Sequence, residues 1–399
     1  MKLKQSPADF LVEELTNVVP TDGDFAFYRL DKTGWTTPDA LAAVRRIWRI
    51  DWERMSYGGL KDRHANTTQF LTIIGGPREH LTEKGWSLQY LGQIREPYRS
   101  TDIRANRFVV VIRNLHPWQI TRAESAAEDV RLCGVPNYFD DQRFGSVNAD
   151  RRFVAKEMVL GRFEEALKLA LAGEYEFDRA VDKKEKATLL SHWGQWPAAK
   201  AALPRGHARS LVDYLVHHPT DFRGACARLR PDLRGLYLSA YQSDLWNRQL
   251  SIWLRSQVPA ADLTGVELKL GIHAVPKRVP ESFASEWSST SLPLLSARIK
   301  PVPDAAWWPS AETVLREEGF TLDQLKIKGI EHPFFSKGER MVRLTPSEFS
   351  LLPEPDDRHK GRAKLSLRFE LPRGCYATMI VKRLTATKPL TPSVSPPPT

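Results

Sequence analysis

The sequence predicts a core domain of strands and helices, interrupted by a second, largely helical domain and completed by a late strand and helix. Three observations lead there. A chain of 399 residues exceeds one average domain and suggests about two. Strand-like alternation dominates before residue 150 and returns at 364–370, with helical spacing in between. Hydrophobic residues at 42% and charged residues at 27% suit a packed, soluble core.

Residues 24–30 alternate as a strand. Thr37, Pro38 and Asp39 read as a helix start: a capping hydroxyl, a proline suited to the first turn, and an acid at the positive end of the dipole. Leu41, Val44 and Trp48 then share one face, while Arg45, Arg46 and Arg49 form either a solvated face or an RNA contact. Strands are expected at 67–74, 87–91 and 107–112, the last with an apolar run, Val109 to Ile112, that suits burial on both faces. Thr121 and Glu124 suggest a capping box opening a helix that Gly134 closes and Pro136 forbids from continuing. Helices are expected at 153–173, 178–190 and 208–217, and irregular structure at 255–345. A strand at 364–370, a turn at Pro372–Gly374 and a helix near 376–384 end the fold. The Pro-rich tail from Thr387 is expected to be disordered.

Lys and Arg number 58 against 48 Asp and Glu, a formal charge of +10. Such a balance favours polyanions, RNA phosphate first among them, and serves solubility equally well. Cys133, Cys226 and Cys375 are far apart and form no CxxC, which supports neither a disulfide framework nor a zinc site and suits a reducing compartment. The N-terminus lacks a signal-peptide apolar run, and no stretch approaches the ~18 apolar residues of a membrane span, so a cytoplasmic protein is expected.

Three segments carry possible chemistry. In Tyr57–Gln69, two glycines precede Lys61, Asp62 and Arg63. Cations keep a carboxylate ionised, and an ionised Asp is a competent nucleophile; read alone, the segment is better taken as a glycine turn with a solvated charge cluster. In Asn137–Gly145, Phe139 is either a stacking platform for an unstacked base, with Asn137 reading its edge, or a core residue. In Tyr237–Asn247, Leu238, Tyr241 and Leu245 share a helical face, and Ser239, Gln242 and Asn247 contact RNA, cap or bridge.

Together these segments resemble the TruD family of RNA pseudouridine synthases along most of the chain. The opening Lys4 to Glu14, the Gly59–Ala65 segment running on to Gln69, Asn106-Arg107-Phe108, Asn137 to Gly145, Ser239 to Asn247, and Pro372 to Thr378 match six family motifs in order. The region between about 250 and 345 matches weakly, and Trp246 replaces the usual Phe. Lys382-Arg383 stands where the family has an Arg-Glu pair, so the charge partner supplied there is altered.

The resemblance implies an α+β fold: a pseudouridine-synthase catalytic domain with a mixed, mainly antiparallel sheet, residues 1–152 and 346–386, interrupted by an inserted TRUD domain, 153–345, and followed by a tail, 387–399. It implies isomerisation of uridine to pseudouridine, usually uridine 13 of transfer RNA, without metal or cofactor. Asp62 would be the nucleophile or base and Lys4 its cationic partner. Phe139 would stack on the uracil and Asn137 hydrogen-bond near it. Asn106, Lys61, Arg63, Gln69 and Arg143 are further candidates for substrate contact, with Lys61, Arg63 and Arg143 also candidates for structural pairing. The expected partner is tRNA or another structured RNA, bound by a monomer. A non-catalytic RNA-binding protein on the same fold is the first rival. A glycosidase is the second, disfavoured because its paired carboxylates sit poorly with a basic chain. A deaminase lacks its H-x-E and P-C-x-x-C pattern.

Overall fold

Alternating apolar and polar positions along the first 115 residues build most of one sheet. The computed structural model describes residues 1–176, 178–330, 335–385 and 387–390. The chain divides into two units, Met1–Val135 with Leu344–Thr385, and Pro136–Arg343 with Ala386–Thr399. The insert was expected to begin at 153. The earlier division has a local cause: Tyr138 and Phe139 are already fastened inside the second unit, the Tyr138 hydroxyl donating to the Ala274 carbonyl at 2.7 Å and the Phe139 backbone pairing with Asn247.

The first unit contains β1 (Lys2–Leu3), β2 (Phe10–Thr16), β3 (Phe25–Thr33), β4 (Met55–Tyr57), β5 (Asn66–Ile74), β6 (Leu81–Glu83), β7 (Trp86–Ile94), β8 (Ile103–Leu115), β9 (Ser347–Pro355) and β10 (Ala363–Leu371). They form one ten-stranded sheet in the order β9-β10-β8-β2-β5-β3-β7-β6, with β1 on β8 and β4 on β5. Every pairing is antiparallel except β2 with β5. The sheet is therefore mixed and mainly antiparallel.

Helix α1 (Thr37–Trp48) lays Ala40, Leu41 and Val44 on Ala26, Tyr28, Leu30, Leu71 and Leu88. Its cap is Thr36, whose hydroxyl accepts the Asp39 N–H at 3.2 Å, and not Thr37, which is left for another task. Helix α2 (Pro117–Cys133) begins four residues before the expected capping box, because Pro117 suits the first helical position. Helix α3 (Ala377–Thr385) ends the unit. Its Arg383 donates to Asp129 of α2 at 2.7 Å.

One irregularity positions the site. Along one edge, β5 pairs with β2 only through Asn66–Thr68 and with β4 only through Leu71–Ile73. Among the described residues, no strand covers Gln69 and Phe70 on that edge. The loop 58–65 joins β4 to β5 at this split.

The second unit is mainly helical, around a long helix, Pro231–Gln257, in which Tyr237, Tyr241, Leu245, Trp246 and Trp253 are buried. The expected helix at 153–173 is two, Val154–Val159 and Phe163–Ala172, separated at Gly161, whose φ of +74° suits glycine. The stretch 255–345, expected to be irregular, holds a hairpin, Leu263–Leu268 with Gly271–Pro276, and helices Glu281–Ser289 and Trp308–Glu318. Thr387 and Lys388, expected to open a disordered tail, instead pair with Val266 and Gly265 of that hairpin. The rest of the expected tail from 391 lies outside the described residues.

Candidate active site

The loop at the sheet split is fastened from below. Gly58 packs closely on β8: a Cβ there would meet Ile103 Cδ1 at 2.6 Å, so the isoleucine side chain would have to shift. The Thr37 hydroxyl, freed from capping, accepts the Lys61 N–H at 3.0 Å and donates to the Gln69 side chain at 2.8 Å. Gln69 in turn donates to the Gly59 carbonyl at 3.2 Å. Gln69 is fully buried, so in this structure its amide serves the loop.

Asp62 forms an ion pair with Lys4 and accepts the His64 N–H at 3.2 Å. Lys4 also lies 4.1 Å from the centroid of the Phe10 ring. Lys4 has a φ of +52°, unusual for a non-glycine residue. Burial works to raise the pKa of Asp62, but the hydrogen bond and charge of Lys4, with the His64 N–H, outweigh it and hold the carboxyl below its ordinary value. Asp62 is therefore ionised at neutral pH.

Its flanking cations do different work. Lys61 turns inward, 2.7 Å from Glu14 Oε2, and donates to Asn106 Oδ1 at 2.8 Å. Glu14 also accepts the Phe70 N–H at 3.2 Å, an amide that the sheet split leaves without a strand partner, and the Tyr98 hydroxyl at 2.9 Å. Asn106 and Lys61 thus support the loop together. Arg63 is exposed and donates to the Gly34 carbonyl at 3.1 Å.

Sequence reasoning missed Lys32. It ends an alternating strand and reads as a surface lysine, yet it is only 3% exposed. Its ammonium donates to the carbonyls of Trp35, Lys61 and Asp62 at 2.9, 3.3 and 3.0 Å. Its position on the buried side of β3, between buried Leu30 and the loop, was the signal available.

Asn137, Phe139 and Arg143 belong to the second unit. Asn137 donates to the Met341 carbonyl at 3.0 Å and accepts from Arg340 at 2.5 Å. Phe139 is 6% exposed and edge-on to Trp246, with centroids 5.6 Å apart. The Arg340 guanidinium lies 4.2 Å from its ring centroid and that of Arg143 at 5.3 Å. Asn247, read as a contact, cap or bridge, is a bridge: it accepts the Phe139 N–H at 2.9 Å and donates to its carbonyl at 2.8 Å. Gln242 bridges likewise to the Leu295 and Ser336 carbonyls. Among the described residues, no group of three or more His, Cys, Asp or Glu side chains is arranged to hold a metal ion, and no helix is long and apolar enough to cross a membrane.

The site presents an ionised aspartate, paired with a lysine, on a loop pinned where the mixed sheet splits; a carboxylate in that state has the chemistry of a nucleophile or base. The family model described as tRNA pseudouridine synthase D (TruD) matches residues 1–384. The chain is 30% identical over 394 residues to a protein of Methanocaldococcus jannaschii named probable tRNA pseudouridine synthase D 2, covering 96% of this chain and 91% of that one. It is 29% identical over 403 residues to a tRNA pseudouridine synthase D of Leptospira interrogans, covering 96% and 95%. The fold is that of a crystal structure from Methanosarcina mazei described as a putative tRNA pseudouridine synthase D, with a TM-score of 0.72, 24% identity, and coverage of 97% of this chain and 94% of that one. The chain belongs to the TruD family of tRNA pseudouridine synthases and is an isomerase.

Proposed function

We propose that the protein converts one uridine of a folded tRNA, uridine 13, to pseudouridine, with Asp62 as the group that starts the reaction. The carrying observation is the Asp62 carboxylate, held ionised by Lys4 on a loop whose backbone is fixed at Gly59, Lys61 and Asp62. In the reaction the N1–C1′ bond breaks, the base turns, C5 bonds to C1′, and the proton lost from C5 is balanced by one gained at N1. Asp62 acts as nucleophile or base, on a uridine taken out of its stack at a cost of a few kcal/mol. Positioned charge of this kind contributes most where water is excluded.

Phe139 stacks on the turned-out uracil in this reading, and Asn137 hydrogen-bonds beside it. The ring is buried against guanidinium groups, so one of them yields its place to the base. Arg63 and Arg143 are the candidates among the motif cations for phosphate contact. The reaction runs in the cytoplasm, on a monomer.

The test is pseudouridine mapping on a panel of unmodified tRNAs with wild type and Asp62→Ala, with RNA binding measured in parallel. Product at uridine 13 from wild type, none from the variant, and equal binding are expected. Binding without product from either protein would favour a non-catalytic RNA-binding role.

A further inference from the structure

We propose that Lys32 is the positioning residue of the reaction: its buried ammonium fixes the backbone beneath Asp62 and places the carboxylate. This rests on the reading of Asp62 given above.

The ammonium has three N–H donors, and it meets three carbonyl oxygens, those of Trp35, Lys61 and Asp62. Two of the three belong to the nucleophile and its neighbour. Lys32 enters from β3 and holds the backbone, whereas Lys4 holds the carboxylate itself. The Asp62 peptide and side chain are thus each held by a different lysine. Among the described residues no carboxylate is hydrogen-bonded to Lys32, so what its charge faces is the carbonyl cluster, the negative Asp62 and the positive Lys61. Glu14 on β2 faces Lys61, and Lys4 and His64 face Asp62.

A buried ammonium among dipoles is sensitive to pH. Burial, partly offset by Asp62 and reinforced by Lys61, lowers the Lys32 pKa to about 8. A neutral amine has two N–H donors for three carbonyls, so deprotonation releases one of them. It also removes a positive charge close to Asp62. Both changes act on placement and ionisation of the carboxylate, and neither touches RNA.

The experiment measures single-turnover pseudouridine formation on tRNA from about pH 6 to about pH 9.5 for wild type, Lys32→Met and Lys32→Arg. RNA binding and circular dichroism are measured on the same samples. Wild type is expected to lose rate as pH rises through about 8, with binding unchanged. Lys32→Met is expected to be slower by roughly 10- to 100-fold at neutral pH, the scale of a nucleophile displaced by about 1 Å, and to lack that alkaline limb. Lys32→Arg keeps the charge at every pH and is expected to recover part of the rate without the limb. A folded Lys32→Met at wild-type rate overturns the proposal. So does an alkaline limb that persists in Lys32→Arg, an arm that remains readable if the methionine variant does not fold. Asp62→Ala separates the two readings: product from that variant removes the role of Asp62 itself, whereas the Lys32 outcomes bear on its placement.

Discussion

Lys61 Nζ lies 2.7 Å from Glu14 Oε2, with side chains 8% and 0% exposed, so the lysine adjoining Asp62 is an internal strut and not an RNA-facing cation. Through it the loop is tied to the carboxylate that satisfies the open amide of β5. The sheet split and the loop therefore depend on one another.

Breaking this pair from one side strands a buried charge. Lys61→Met is expected to destabilise the protein by about 3–5 kcal/mol, whereas Glu14→Gln/Lys61→Met recovers part of the loss because no charge remains unpaired. Urea unfolding of the three proteins decides it. Equal midpoints for wild type and Lys61→Met would rule the strut out.

Asn247 holds both backbone groups of Phe139. Asn247→Ala removes a hydrogen-bond partner from each of two buried backbone groups and is expected to cost about 2 kcal/mol. Pseudouridine formation should fall more than tRNA binding does, since Phe139 is the ring proposed to stack on the uracil. Thermal unfolding alongside the modification assay checks both parts.

Lys4 sets the acid side of the pH profile. With its partner, Asp62 has a folded-state pKa below the unfolded value, so its contribution to stability is present above the unfolded pKa and lost as pH falls through the folded one. Lys4→Met removes the lowering influences of Lys4 and leaves burial, which raises the pKa, opposed only by the smaller influence of His64. The acid limb of the normalised rate should move to higher pH. Superimposable profiles for the two proteins would contradict this.

Asp244 works in the opposite sense. Burial raises its pKa to about 6, against the pull of Arg248. The folded state then holds the proton more tightly, so stability from this group is present at low pH and lost as pH rises from about 4 to about 6. The full swing is at most about 3 kcal/mol. Asp244→Asn should flatten the stability profile across that window, measured by denaturant midpoints at successive pH values.

The loop that carries Asp62 was legible because its residues are contiguous: Gly59 to Ala65 carry the motif in a single stretch. The roles of Lys61 and Gln69 were not, because their partners Glu14 and Thr37 come from other strands and helices, and only sheet pairing brings them in. Lys32 was illegible for a related reason. An alternating strand shows which face a side chain takes, but not that a loop will return to cover it with carbonyls. The two helices broken at Gly161 were read as one because apolar spacing continues across the break. The last strand and helix were readable from local pattern, whereas their place beside β8 required the three-dimensional pairing.

That pairing bears on how the protein is made. Arg107 of β8 bonds to Glu370 of β10 across 263 residues of sequence, and Phe108 stacks on Phe369. During synthesis the β8 edge waits, without β10, while Pro136–Arg343 of the second unit leaves the ribosome. An open strand edge with apolar neighbours is a template for wrong pairing. The nascent chain is therefore most vulnerable between these two strands, and a stop codon just before β10 should yield a product that aggregates or is held by chaperones even though the entire nucleophile loop has been translated.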